Sequence, residues 1–138
     1  MTDPIIFDDP QRATRDILRD VLPAYGIDAT VSTRRPEHDL AAGPRKLHIR
    51  VRSGTPIRAR RVASTATVRL TTYGTDEGDS MRVAAIVEAV LLSEVSSDSV
   101  LGFGPVSGPV PGTDQDTGDP IALVTVQARL KPRHLRKD

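Results

Sequence analysis

The chain has no cysteine and no tryptophan among its 138 residues. Without thiols it has no disulfide scaffold, no thiolate metal site and no cysteine nucleophile. Aromatic side chains make up only 3% of it, as Phe7, Tyr25, Tyr73 and Phe103. The core must therefore be aliphatic, and platforms for stacking nucleobases are hard to build. Net charge is nearly absent as well, a formal +1 at neutral pH, which leaves no global field to drive binding to DNA or an anionic membrane. The longest apolar-rich run, residues 83–92, is interrupted by Glu88 and is too short to span a bilayer. The start carries Asp3, Asp8 and Asp9 where a secretory signal needs a cationic and then an apolar stretch. These absences point to a soluble intracellular protein. The length suits one domain that buries roughly two thirds of its unfolded surface. Lysine is scarce (Lys46, Lys131 and Lys137), and the excess of arginine is better explained by a GC-rich coding sequence than by a need for bidentate contacts.

What is present reads as an α+β pattern. Asp8 or Asp9 can cap a first helix with Pro10 at its first position, followed by Ala13, Ile17, Leu18, Val21 and Leu22 at three-and-four spacing until Pro23. A short strand follows over residues 28–33 and a loop over 34–44. From residue 45 the chain alternates, with Leu47, Ile49 and Val51 inward and Lys46, His48, Arg50 and Arg52 outward. Gly54 and Pro56 then predict the turn of a hairpin. Val62, Ala66, Val68 and Leu70 form the inward face of its second strand, and Arg61, Thr65, Thr67, Arg69 and Thr71 point outward. Asp79 or Ser80 is placed to cap a second helix, whose broad stripe (Met81, Ala84, Ala85, Val87, Glu88, Leu91, Leu92, Val95) is widened by Val83, Ile86 and Val90. So apolar a helix predicts cover on more than one side, from the sheet or from another subunit. Residues 100–106 read as a short strand, and 107–120 hold too much glycine, proline and aspartate for regular structure. Ala122, Val124, Val126, Ala128 and Leu130 face inward on a last strand, which leaves Ile121 and Leu123 as exposed apolar residues that hint at a partner. The expected fold is a mostly antiparallel sheet of four to five strands packed by two helices, one domain over residues 1–131 with a basic tail over 132–138.

Little in the sequence carries chemistry. The acidic stretch "TDQDTGDP" fails as a calcium loop: counted from Asp114, the fifth position is Gly118, the sixth Asp119 and the twelfth Thr125. It is read as a tight turn built by Asp116, Thr117 and Gly118. "TDEGDS", residues 75–80, is read as a turn with negative charge at a helix N-terminus. His38, His48 and His134 lack ligand partners at metal spacing, and His48, flanked by Lys46 and Arg50 in the outward row, reads as a solvent or interface residue. No serine sits in a nucleophile elbow and no glycine precedes a lysine as in a phosphate loop. The expectation is a protein with no enzyme activity, cofactor or metal. Basic residues give the stronger signal, with Lys46, Arg50, Arg52, Arg58, Arg60, Arg61 and Arg69 on the hairpin and Lys131, Arg133, Arg136 and Lys137 at the end. Such a row can neutralise phosphates, serve as a solvated face covered by its long side chains, or meet an acidic subunit.

Several weak patterns occur in a particular order: "DATVSTRRPE" after the first helix, the arginine-rich "KLHIRVRSG", "ATVRLTTYGTD" ending in an aromatic before the second helix, "MRVAAIVEAVLLS", and finally "DQDTGDPIALVTVQARL". In that order, from Pro10 to Leu130, the chain resembles the small tail terminator proteins of long-tailed (siphovirus-type) bacteriophages. It departs from them at Ile121 and Ala122, where the family more often has an arginine and an aromatic, and after Pro132. The resemblance implies a hexameric ring that caps the tail tube, stops its polymerisation and presents its other face to the head connector. Genomic DNA would pass through its lumen without sequence-specific binding, and no membrane would be involved. Self-contact, tail tube protein and head connector or neck protein are the partners so implied, at the tail–neck junction of the virion. Head-side neck or adaptor proteins share this size and form the alternative; a small DNA-binding protein is a third reading. Ring closure needs two different complementary patches per subunit. Opposite charge suggests Arg50, Arg52 and Arg69 for one, and Asp76 and Asp79 with Asp114, Asp116 and Asp119 for the other.

Overall fold

A computed structural model of the chain describes residues 4–36, 46–59, 63–93 and 97–135. In chain order its elements are β1 (Ile5–Ile6), α1 (Pro10–Val21) extended by a 3-10 turn (Leu22–Tyr25), β2 (Thr30–Ser32), β3 (His48–Ser53), β4 (Ile57–Ala59), β5 (Ala63–Tyr73), α2 (Glu77–Leu92), β6 (Val100–Thr113), β7 (Pro120–Leu130) and β8 (Arg133–His134). The main sheet has the order β2-β3-β5-β7-β6, and β4 also pairs with β5. Only β2 and β3 run parallel; the other pairs are antiparallel. This is the expected α+β fold, with two helices on a mixed sheet of six strands instead of four to five.

The helices form where their caps and stripes dictate. Asp9 accepts the Gln11 N–H at 2.9 Å, Pro10 occupies the first turn, and Ile17, Leu18 and Leu22 are buried. Pro23, which has no N–H to donate, is accommodated in the 3-10 turn, and Gly26 at φ 75° ends it. Helix α2 starts earlier than the sequence suggested. Asp76 is the cap and accepts the Asp79 N–H at 2.7 Å, while Asp79 reaches back to the Thr75 N–H at 3.0 Å. Asp76 thus caps the helix, and the Asp79 side chain ties down the residue before the cap, a variant of the capping box in which the second carboxylate reaches one residue farther back. The buried stripe of α2 is Ser80, Val83, Ala84, Val87, Val90 and Leu91, with Ala85 and Ala89 exposed. Among the described residues the helix is therefore covered on its sheet side alone, and Ala85, expected in the stripe, lies outside it.

Strands β5 and β7 alternate as expected, and their inward residues meet in register, Val68 against Val126 and Leu70 against Val124. They share one aliphatic core with Ile17 and Leu18 of α1 and Val83, Val87 and Leu91 of α2. The expected turn at Gly54 and Pro56 does not reverse the chain, and much of the expected loop over residues 107–120 is strand. Ser53 pairs with Val68 and Ile57 with Thr65, so β3 and β4 lie along the same side of β5, and residues 54–56 interrupt the strand without turning it. Strand β4 still runs antiparallel to β5, with Ala59 opposite Ala63. Likewise β6 continues through Pro105, Pro109 and Pro111 to Thr113, paired with β7 across three register shifts. An edge strand with bulges tolerates prolines because one of its sides needs no N–H donors, so the real turn is confined to residues 114–119. Expectations for the loop around His38, for Arg60, Arg61 and Val62, for Val95, and for Arg136 and Lys137 fall outside the described residues.

Beyond Pro132, residues 133–135 still belong to the fold. Strand β8 pairs with β1, and both Asp8 carboxylate oxygens accept from Arg133 at 2.8 Å, with Ser99 donating to the same group. The hydrogen bond from Ser99, then that from Arg133, holds the Asp8 carboxyl below its ordinary value despite some desolvation. A depressed folded-state pKa gives stabilisation that is present above the unfolded value, about 4, and is lost as pH falls through the folded one. Acidification below about pH 4 should therefore lower the amide protection factors, relative to intrinsic exchange at the same pH, in residues 5–6 and 133–135 before the core opens. Arg133→Ala should do so at neutral pH.

Candidate functional site: an arginine cleft on the open sheet face

Because both helices pack on one face of the sheet, no helix among the described residues covers the outward residues of β3, β5 and β7. Three cross-strand rungs order them: Arg52 opposite Arg69 and then Thr125, Arg50 opposite Thr71 and then Leu123, His48 opposite Tyr73 and then Ile121. The third rung ends under the turn that links β6 to β7. Together they form a cleft of about 500 Å³ lined by Arg35, Arg50, Arg52 and Arg69, with Asp114 and Asp116 at one end.

The acidic turn is built from within. Asp114 is buried, and its Oδ1 accepts the N–H groups of Asp116 at 2.9 Å and Thr117 at 3.2 Å. Its Oδ2 accepts the Tyr73 hydroxyl at 3.2 Å. Its own N–H reaches the Asp119 carbonyl, and Gly118, at φ 77°, returns an N–H to the Asp114 carbonyl. The sequence assigned this turn to Asp116, Thr117 and Gly118, but the capping carboxylate is Asp114. Asp116 turns back instead and pairs with Arg35. Burial, then the neighbouring Asp114 charge and hydrogen bond, pushes the Tyr73 phenol above its ordinary value.

Two outward residues are not exposed as expected. His48 is buried, its Nε2 lying 2.9 Å from the Ser32 hydroxyl and 3.1 Å from the Arg34 carbonyl, and its ring stands edge-on to Tyr73. Ile121 is only 8% exposed, opposite Gly112 on β6 and beside Tyr73, while Leu123 is half-buried. Alternation fixed which way these side chains point, but the turn and the segment that leaves β2 lie over the end of the sheet where they sit.

The charge on this face has one sign. Strands β3, β5 and β7 contain no aspartate or glutamate, yet carry Arg50, Arg52, Arg69 and Arg129. Among the described residues, Arg35 pairs with Asp116, whereas Arg50, Arg52 and Arg69 pair with no carboxylate. The Nε of Arg50 is buried with no hydrogen-bond acceptor, and Arg52 and Arg69 face each other directly across the strands. Like charges in that position cost stability. Arg69→Glu should consequently raise the stability of the isolated chain, by about 0.5 kcal/mol, as an upward shift of the denaturant midpoint.

Of the residues marked in the sequence, Arg50, Arg52, Arg69, Asp114, Asp116, Ile121 and Leu123 thus come together in one cleft, and Asp119 ends its turn. Asp76 and Asp79 do not join them, since they cap α2. Arg35 and Tyr73 were missed. Both stand in quoted motifs, "TRRPE" and "TTYGTD", but no local pattern tells that the acidic turn folds onto them. Among the described residues no group of three histidine, aspartate or glutamate side chains gathers as a metal site would require. No helix among them is long and apolar enough to cross a membrane. No protein-family model matches this chain, and no curated protein sequence matches it.

Proposed function

We propose that the chain is a structural subunit of a long-tailed bacteriophage, a tail terminator that closes into a ring on the last ring of the tail tube, stops its polymerisation and offers its other face to the head connector. The observation that carries this reading is the open sheet face with three arginines unpaired among the described residues. An isolated domain gains nothing from like charges left opposite one another, whereas a subunit whose neighbour supplies the counter-charge does. The motif order from Pro10 to Leu130 supports the specific assignment. So does strand β6, an edge whose Leu101, Val106 and Val110 are exposed, apolar surface of the kind that meets partners. The role requires docking and no catalysis, and DNA would pass through the ring without sequence readout. Purified protein added to polymerising tail tube protein tests this. It should bind at one tube end and halt elongation; unchanged elongation with binding to connector rings would replace the reading with a neck adaptor.

A further inference from the structure

We infer that the arginine cleft receives the acidic start of α2 from a second copy of the chain, so that copies join head to tail; this rests on the reading of the protein as a self-assembling subunit. Among the described residues of its own chain, the cleft finds no carboxylate left to pair with three of its arginines. Asp114 is consumed by two backbone N–H groups and Tyr73, and Asp116 is held by Arg35. Arg50, Arg52 and Arg69 are left over, with the Arg50 Nε buried and lacking an acceptor. Guanidinium groups fixed on strands favour carboxylates, which they grip through two parallel hydrogen bonds.

The complementary surface lies at the start of α2. Residues 76–79 place three carboxylates in four positions, Asp76, Glu77 and Asp79, all at the start of α2. Arg82 reaches only Asp79, at 3.2 Å, and Glu77 is exposed with no cationic partner among the described residues. Because α2 packs on the inward face of the sheet, these acids belong to the helix layer and line no part of the cleft. One copy cannot satisfy its own arginines with them. A contact between two different patches repeats from copy to copy and closes into a ring when the rotation permits.

The lack of native cysteine makes a cross-linking test clean. Thr71→Cys places a thiol in the cleft and Glu77→Cys one at the start of α2, with all arginines kept. Oxidised protein carrying both should give a reducible ladder extending past the dimer, and either substitution alone no more than a dimer. Adding Arg52→Glu should cut the ladder yield about tenfold, the worth of one interfacial ion pair. Moving the second thiol to Ala89→Cys, farther along the exposed side of α2, should abolish it. Monomers or dimers only, or a ladder indifferent to Arg52→Glu, would overturn the inference, as would duplex DNA binding that requires Arg52 and Arg69. If native protein still halts tube growth without any ladder, only this contact fails and the terminator reading stands.

Discussion

Replacing Leu91 with alanine should cost about 3 kcal/mol of folding stability, within the range measured for buried leucines whose neighbours cannot collapse into the space. Leu91 is fully buried and sits in the last full turn of α2, in the one core that joins both helices to the sheet. With almost no aromatic side chains to fill space, that core is packed from branched aliphatics in fixed rotamers, and a missing isobutyl group leaves a void. Against a total stability of about 5–15 kcal/mol, the loss is a large fraction and would show as a marked fall in the urea midpoint with an unchanged slope. Ala85→Glu, two turns earlier on the exposed side, should change the midpoint little.

The second large effect is expected at Gly108. Its φ is +98°, and a Cβ there would lie 2.5 Å from the Leu123 carbonyl oxygen and 3.1 Å from the Val124 Cα. Both are backbone atoms of the neighbouring strand, so no side-chain rotation relieves the clash. Gly108 falls between the Ser107–Thr125 and Val110–Leu123 pairs, where β6 carries extra residues past β7. Gly108→Ala combines an unfavourable dihedral with a displaced strand and should cost about 2–3 kcal/mol, read from thermal unfolding. Gly104, on the same strand with open space around it and no positive φ, is the control: Gly104→Ala should be near neutral.

What could be read from the sequence divides along physical lines. Alternation in residues 45–51 and 122–130 and the apolar stripes of the helices identified the inward faces, because periodicity is a local property. The hairpin turn and the extent of β6 could not be read that way. Glycine and proline signal a break in pairing but do not say whether the chain reverses or continues past a bulge on an edge, as residues 54–56 and 107–113 do. The cleft was half legible. Its arginines and acids were each marked, and the metal alternative for the acids failed on spacing alone. That both sit on one chain, with Arg35 and Tyr73 drawing the turn over the sheet, depends on contacts across 41 and 81 residues of sequence. The consequence is substantive: Asp114 and Asp116 are occupied at home, whereas at the start of α2 Glu77 is exposed with no cationic partner among the described residues, beside Asp76 and Asp79.

The stability and assembly effects of the arginine row should run in opposite directions. Arg69→Glu relieves a like-charge pair within the chain, yet in the proposed ring it sets a carboxylate against the acids of the next copy. A more stable but assembly-defective subunit would be the signature of a surface kept for a partner.

The central claim, that this chain ends the growth of a tail tube, is tested most directly by electron microscopy of tails assembled in its absence. The account predicts tubes longer than the normal tail and of irregular length, not joined to heads. Tails of normal length that merely fail to attach to heads would contradict it.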